Sequence, residues 1–152
     1  MSGARQRSAA SGLKSETEEL HNEDPISEDL TVYKLAYKLA MDIFELTRRF
    51  PPEEKFAQSS QIRRSSRSVC LNLREAWAKR RYEAHFLSKL SDCDGENSET
   101  YSSVDFAENC GDTSGEQREQ LAAQCAEVGR MLGDMIRKPD SFLPADHLTS
   151  AV

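Results

Sequence analysis

The chain has 152 residues, enough for one core, and its 38% hydrophobic and 30% charged side chains suit a well-solvated domain rather than a large apolar globule. Its 26 acids against 20 lysines and arginines give a net charge of −6, which argues against a protein that coats nucleic acid by bulk charge. The four cysteines (Cys70, Cys93, Cys110, Cys125) include no C-x-x-C pair, so they read as small core side chains in a reducing compartment rather than a zinc knuckle or redox dithiol.

Residues 1–28 are rich in Ser, Glu and small side chains, with acids outnumbering bases, and an extended, solvated, disordered tail is expected there. The opening stretch MSGARQRSAASGLKS holds no apolar region of the signal-peptide kind. Nowhere does the sequence hold the run of about 18 apolar residues that a membrane span needs, so the expectation is a cytoplasmic protein without membrane contact. Pro25 bars a helix before residue 26, and Ser27 or Asp29 is placed to cap a helix that starts beyond it.

A first helix is predicted over 29–49. Its stripe Val32, Ala36, Leu39, Ile43, Leu46, Phe50 alternates spacings of four and three, which keeps one side of an α-helix apolar. A second stripe, Tyr33, Tyr37, Ala40, Phe44, Thr47, widens that face, as contact with two neighbours requires. Pro51 and Pro52 stop the helix, and residues 53–58 make the turn. A second helix over 59–79, capped by Ser59 or Ser60, carries Ile62, Ser66, Val69, Leu73 and Ala76. Its core side is small and polar, through Ser65, Ser66, Ser68, Cys70 and Asn72. Ser68 and Asn72 read as polar core positions that fix register.

Lys79, Arg80 and Arg81 form a basic link into a third helix over 82–109, with the stripe Phe86, Leu90, Cys93, Asn97, Thr100, Val104, Ala107. Cys110 and Gly111 close it. Thr113 or Ser114 with Glu116 or Gln117 three residues on is a capping box that opens a fourth helix, whose stripe is Leu121, Cys125, Val128, Leu132, Met135. Gly129 and Gly133 in that helix suggest close packing, Pro139 ends it, and residues 139–152 read as a flexible C-terminal tail. No segment shows the period of two that a strand needs. With short loops, the result is an all-α, antiparallel up-down-up-down four-helix bundle over residues 29–138.

Bundles of this shape hold di-iron centres on paired Glu-x-x-His motifs. The sequence has one such spacing, Glu18 to His21, in the acidic tail; His85 has Glu83 at the wrong spacing for one helical face, and His147 lies beyond the fourth helix. Asp92, Asp94, Glu96 and Glu99 imitate a calcium loop, but Asn97 stands where that loop needs Gly, and the segment reads as helix. The serines of the second helix have no histidine on the same helix, and neither G-x-S-x-G nor a phosphate-binding Gly loop occurs. The expectation is no catalytic site, no metal and no cofactor.

Charge is distributed unevenly. Residues 60–81 carry Arg63, Arg64, Arg67, Arg74, Lys79, Arg80 and Arg81 against Glu75, while residues 82–112 carry eight acids against Lys89. Neighbouring helices that complement each other inside the bundle would explain this. Two sharper readings are a basic edge facing the acidic edge of another subunit, head to tail, and an arginine stripe that takes phosphates. The second of these lacks aromatics for base stacking within the stripe.

The segments LTVYKLAYKLAMDIFELTRRFPPEEKF and QIRRSSRSVCLNLREAWAKRRYEAHFLSKLSD resemble the bacterial four-helix bundle family encoded in intervening sequences of 23S rRNA genes. The matching positions are Val32, Tyr33, Leu39, Phe50, Pro51, Glu54, Gln61, Arg63, Arg64, Ser68, Asn72, Glu75 and Phe86; the later helices match more loosely, through VDFAENCG and EVGRML. Cys70 replaces the family's usual Pro, and Ala76 or Trp77 its usual Gly. The resemblance implies an up-down bundle assembling as a ring of five. It also points to a relative, the accessory variability protein of diversity-generating retroelements, that binds nucleic acid and a reverse transcriptase. The leading expectation is a non-enzymatic homo-oligomeric bundle acting as an interaction or accessory protein. The competing one is a nucleic-acid-binding accessory that uses the basic surface of the second helix.

Overall fold

Four helices stand where the four stripes stand. In the computed structural model, which describes residues 30–145 (the side chains of 55 and 56 excepted), α1 spans Thr31–Thr47, α2 Ser60–Ala78, α3 Glu83–Asn109 and α4 Gly115–Arg137. Residues 31–145 belong to one compact unit. The tail expected over 1–28 and the last residues, 146–152, lie outside the described range.

Every stripe position of α3 is buried, from Phe86 to Ala107, and so is every stripe position of α2 and α4. Phe86, Leu90, Leu73, Val128 and Leu132 are fully withdrawn from solvent and form the middle of the core. Burying each such large side chain contributes about 1.5–3 kcal/mol. In α1 the stripe is buried through Ile43, whereas Leu46 is half-buried at an open edge against α4. The second stripe of α1 grades outward: Ala40 and Thr47 are buried, Tyr33 and Phe44 half-buried, and Tyr37 is exposed. The helices pack in cyclic order, α1 on α2, α2 on α3, α3 on α4 and α4 on α1, which is the up-down-up-down arrangement.

The helix ends follow local chemistry. Ser114 caps α4: its Oγ accepts from the Gln117 amide at 3.1 Å, and the Gln117 side chain accepts from the Ser114 N–H at 3.1 Å. Gly111, at φ +78°, ends α3, with Asp112 N–H bonding to Ala107 O at 2.8 Å and Gly111 N–H to Glu108 O at 2.9 Å. That pair of bonds is a Schellman motif, which needs a left-handed residue at the position Gly111 holds. At the start of α2 the expected serine cap is absent. A π-helical turn, Lys55–Ser59, runs straight into α2, so Ser59 is itself helical and makes no side-chain cap bond. Past Pro139 the chain stays structured as a 3-10 turn, Pro139–Phe142, followed by the buried Leu143.

The polar core extends beyond the two residues read as fixing register. Ser68 and Asn72 are half-buried and bond within α2, the Asn72 amide donating to Ser68 O at 3.0 Å and to Ser68 Oγ at 3.2 Å. The polar contacts that cross between helices belong to other residues. Thr100 of α3 donates to Ser65 Oγ of α2 at 2.8 Å, and Asn97 of α3 donates to the Cys125 carbonyl of α4 at 2.9 Å. The sequence puts Ser65 on the small, polar core side of α2 and Asn97 on the stripe of α3. Which inward polar groups meet depends on the partner helix, which one helix's sequence does not contain.

Candidate interaction surface

A four-helix bundle has four seams, and here each carries a different chemistry. The α2–α3 seam is closed by ion pairs. Arg64 reaches Glu99 at 2.7 Å and Glu96 at 3.3 Å, and Lys89 reaches Glu75 at 2.8 Å and Asp92 at 3.6 Å. Hydrogen bonding to Glu99, then Glu96, raises the Arg64 guanidinium above its ordinary value, and Lys89 holds the Glu75 carboxyl below its own. All these groups are solvent-accessible, so the pairs align the helices more than they stabilise them. The neighbouring-helix explanation of the charge pattern accounts for this seam.

The α1–α2 seam is basic and aromatic. Arg63 donates from Nε to Thr47 Oγ1 at 2.7 Å, and Thr47 in turn donates to the Ile43 carbonyl at 2.8 Å. The same guanidinium lies 4.9 Å over the Phe44 ring, with Arg48 and Arg67 each 5.8 Å from it. Farther along, Arg74 lies 5.3 Å over Tyr33 and donates to its hydroxyl at 3.4 Å. Tyr37, its ring 6.2 Å from Tyr33, is 54% exposed, and Leu71 at the same level of α2 is 66% exposed. Among the described residues Arg63 and Arg67 have no acidic partner, and Arg48 has only Glu45 at 3.5 Å. Three guanidinium groups around one ring therefore leave an excess of positive charge that an external anion would relieve.

The α3–α4 seam, on the opposite side of the bundle, is acidic. Asp94, Tyr101, Asp105 and Glu108 share the α4 flank of α3, spaced to keep one side of the helix. Arg118 of α4 pairs with Asp105 at 2.8 Å and Glu108 at 3.6 Å and lies 5.8 Å over Tyr101. Asp94 is exposed with no cationic partner among the described residues.

The α1–α4 seam holds a cleft of about 220 Å³ lined by Asp42, Glu45, Leu46, Arg49, Gln117, Gln120 and Leu121. Asp42 accepts from Lys38 Nζ at 2.7 Å and from the Gln124 amide at 2.9 Å. Burial pushes its carboxyl up, but these two donors outweigh burial and hold it below the usual range.

The seven cations picked out in the sequence thus do not form one patch. Arg64 is spent on α3, while Arg63, Arg67 and Arg74 lie against α1. Lys79, Arg80 and Arg81 occupy the α2–α3 turn, where Arg80 lies 4.4 Å over Trp77 beside the exposed Tyr82. Aromatics absent from the arginine stripe of α2 are supplied across the seam by the second stripe of α1. His85 is exposed and stands edge to face with Tyr82, the ring centroids 6.0 Å apart. Asp92 and Asp94 diverge to opposite flanks of α3, so the calcium-like run does not converge on a point. Among the described residues no three His, Cys, Asp or Glu side chains are grouped to hold a metal, and no helix is long and apolar enough to cross a membrane. Glu18, His21 and His147 lie outside those residues.

Residues 28–134 match the 23S rRNA-intervening sequence protein family. A solved structure from Bacteroides thetaiotaomicron, described as a protein of unknown function from the S23 ribosomal protein family, is similar at 28% identity and a TM-score of 0.65. The match covers 71% of this chain and 100% of that one. No curated protein shows significant similarity to the chain.

Proposed function

The chain belongs to the 23S rRNA-intervening sequence protein family, and on that premise we propose a non-enzymatic, homo-oligomeric bundle acting as an interaction or accessory protein. The observation that carries this reading is the pair of opposite seams. Arg63 and Arg67, which have no acidic partner among the described residues, stand on α1–α2, and Asp94, with Asp105 and Glu108 around Arg118, stands on α3–α4. A surface that meets the opposite surface of the next copy makes a head-to-tail contact, and such contacts close into rings. Tyr37 and Leu71 on one side and Tyr101 on the other supply apolar area to exclude water once the charges have met. In support of the non-enzymatic part, Ser65 and Ser66 give their hydroxyls to carbonyls of their own helix.

A charge swap tests the contact. Arg67 is the clean probe, because Arg63 is tied to the buried Thr47 and its reversal would also disturb the fold. Arg67→Glu and Asp94→Arg should each weaken association about tenfold while far-UV helicity persists, and the two variants mixed should recover part of the loss. A mixture no tighter than either variant alone would exclude this pairing.

A second reading, nucleic-acid binding, rests on the α2–α3 turn, where Lys79 and Arg81 are exposed beside the Arg80–Trp77 stack and Tyr82. RNA retention that falls steeply with salt and is lost in Lys79→Glu/Arg81→Glu would favour it over the first reading.

A further inference from the structure

The cleft between α1 and α4 has an order along its length. The Gln124–Asp42 bond sets the antiparallel register of the two helices, so Leu46 comes level with Gln120 and Leu121, and Arg49 with Gln117. One end is rich in acceptors. Asp42 and Glu45 stand there; Lys38 and Gln124 take one oxygen of Asp42 and Arg48 one of Glu45, and the second oxygen of each carboxylate has no partner among the described residues. The middle is a floor of Leu46 and Leu121. The other end is rich in donors. Arg49 has no acidic partner among the described residues, and the Gln117 oxygen is already taken by Thr113 Oγ1 at 2.8 Å and Ser114 N–H at 3.1 Å, leaving its amide N–H groups to give.

From acceptor end to donor end, Asp42 to Arg49, is seven residues, roughly 10 Å along the helix. We propose that this cleft binds a small linear zwitterion, an ω-amino carboxylate or a dipeptide, with its ammonium at Asp42 and Glu45, its carboxylate at Arg49 and its middle on Leu46 and Leu121. Each feature selects against a simpler ligand. A cation alone leaves Arg49 unmatched, an anion alone leaves the second oxygens of Asp42 and Glu45 unmatched, and an uncharged apolar molecule uses neither end. The volume, about 220 Å³, is below the roughly 300 Å³ at which drug-sized pockets begin and suits a ligand of this size.

The test is a backbone-amide chemical-shift titration of the full chain with 6-aminohexanoate and with dialanine, against hexylamine and hexanoate as ligands lacking one end. Saturable shifts confined to the facing halves of α1 and α4 are expected for a zwitterion, with each single-charge control about tenfold weaker. Response to 6-aminohexanoate alone or to dialanine alone identifies which of the two sources the cleft suits. Arg49→Gln should abolish discrimination against hexylamine only, and Glu45→Gln discrimination against hexanoate only, a crossed pattern that a merely structural role would not produce. No saturable shift with either zwitterion, or equal binding of the single-charge controls, overturns the proposal. Sedimentation of the same samples reports self-association separately, so the two proposals fail independently.

Discussion

Arg63 shows how much of a charged residue's role is decided by what stands beneath it. In the sequence it is one of three arginines on a stripe open to phosphate, subunit or solvent. In the structure its Nε is committed to Thr47, and its plane lies over Phe44 at 4.9 Å. Arg63→Ala should cost about 1–2 kcal/mol in chemical unfolding, from one hydrogen bond and one cation–π contact. Arg63→Lys should recover little, since an ammonium cannot both stack flat and donate sideways. Arg67→Ala, at 5.8 Å and exposed, should stay within about 0.5 kcal/mol. Equal losses at the two positions would refute the distinction.

The thiols behave as a second residue-scale group. Burial pushes Cys70 up to about 11 and Cys93 and Cys125 up to about 12, while Cys110 is exposed. An aromatic disulfide reagent at neutral pH should titrate one thiol per chain quickly and the other three only on unfolding. Because the folded values lie above the unfolded one of about 8.5, the unfolded chain gives up these protons first as pH rises. Stability from this source is therefore complete below about pH 8.5 and should fall above it. A flat stability profile from pH 8 to 10 would contradict that.

At the scale of the element, the helices were legible because the signal for each lies within its own segment. A 4-3 stripe needs no partner to be recognised, and the inward positions from Phe86 to Ala107 were readable even through Asn97 and Thr100. The capping box of α4 was equally local. What failed needed a second element or an unusual join. Ser59 and Ser60 look like caps, but the π turn before them leaves no free helix start. The rings under the arginines come from α1, so no inspection of α2 alone could find them; pairing the second stripe of α1 with the α2 arginines in antiparallel order would have. Glycines test the packing directly. Gly95 is mid-helix with open space at its β position, so Gly95→Ala should add about 0.5–1 kcal/mol. Gly111→Ala should lose about 1 kcal/mol at φ +78°. At Gly129 a β carbon would stand 3.2 Å from the Asn97 amide nitrogen, so the gain in helix propensity should be offset there. Thermal or denaturant midpoints give the order Gly95→Ala above Gly129→Ala above Gly111→Ala, and any other order would mean that the α3–α4 packing is wrong.

For the whole molecule, charge is sorted by seam rather than by helix. The α2–α3 pairs consume part of the asymmetry seen in the sequence, and what is left stands on opposite sides, guanidinium groups around Phe44 and carboxylates around Tyr101. A surface of this kind associates by charge first and apolar contact second, so salt should loosen it over the range that screens exposed groups, where the Debye length falls from about 10 Å to about 3 Å. Sedimentation velocity of the wild-type chain at micromolar concentration, at low salt and again near 1 M, measures this most directly. A discrete oligomer at low salt that dissociates at high salt, and that Arg67→Glu dissociates at low salt, is the predicted result. A monomer under every condition would contradict the account.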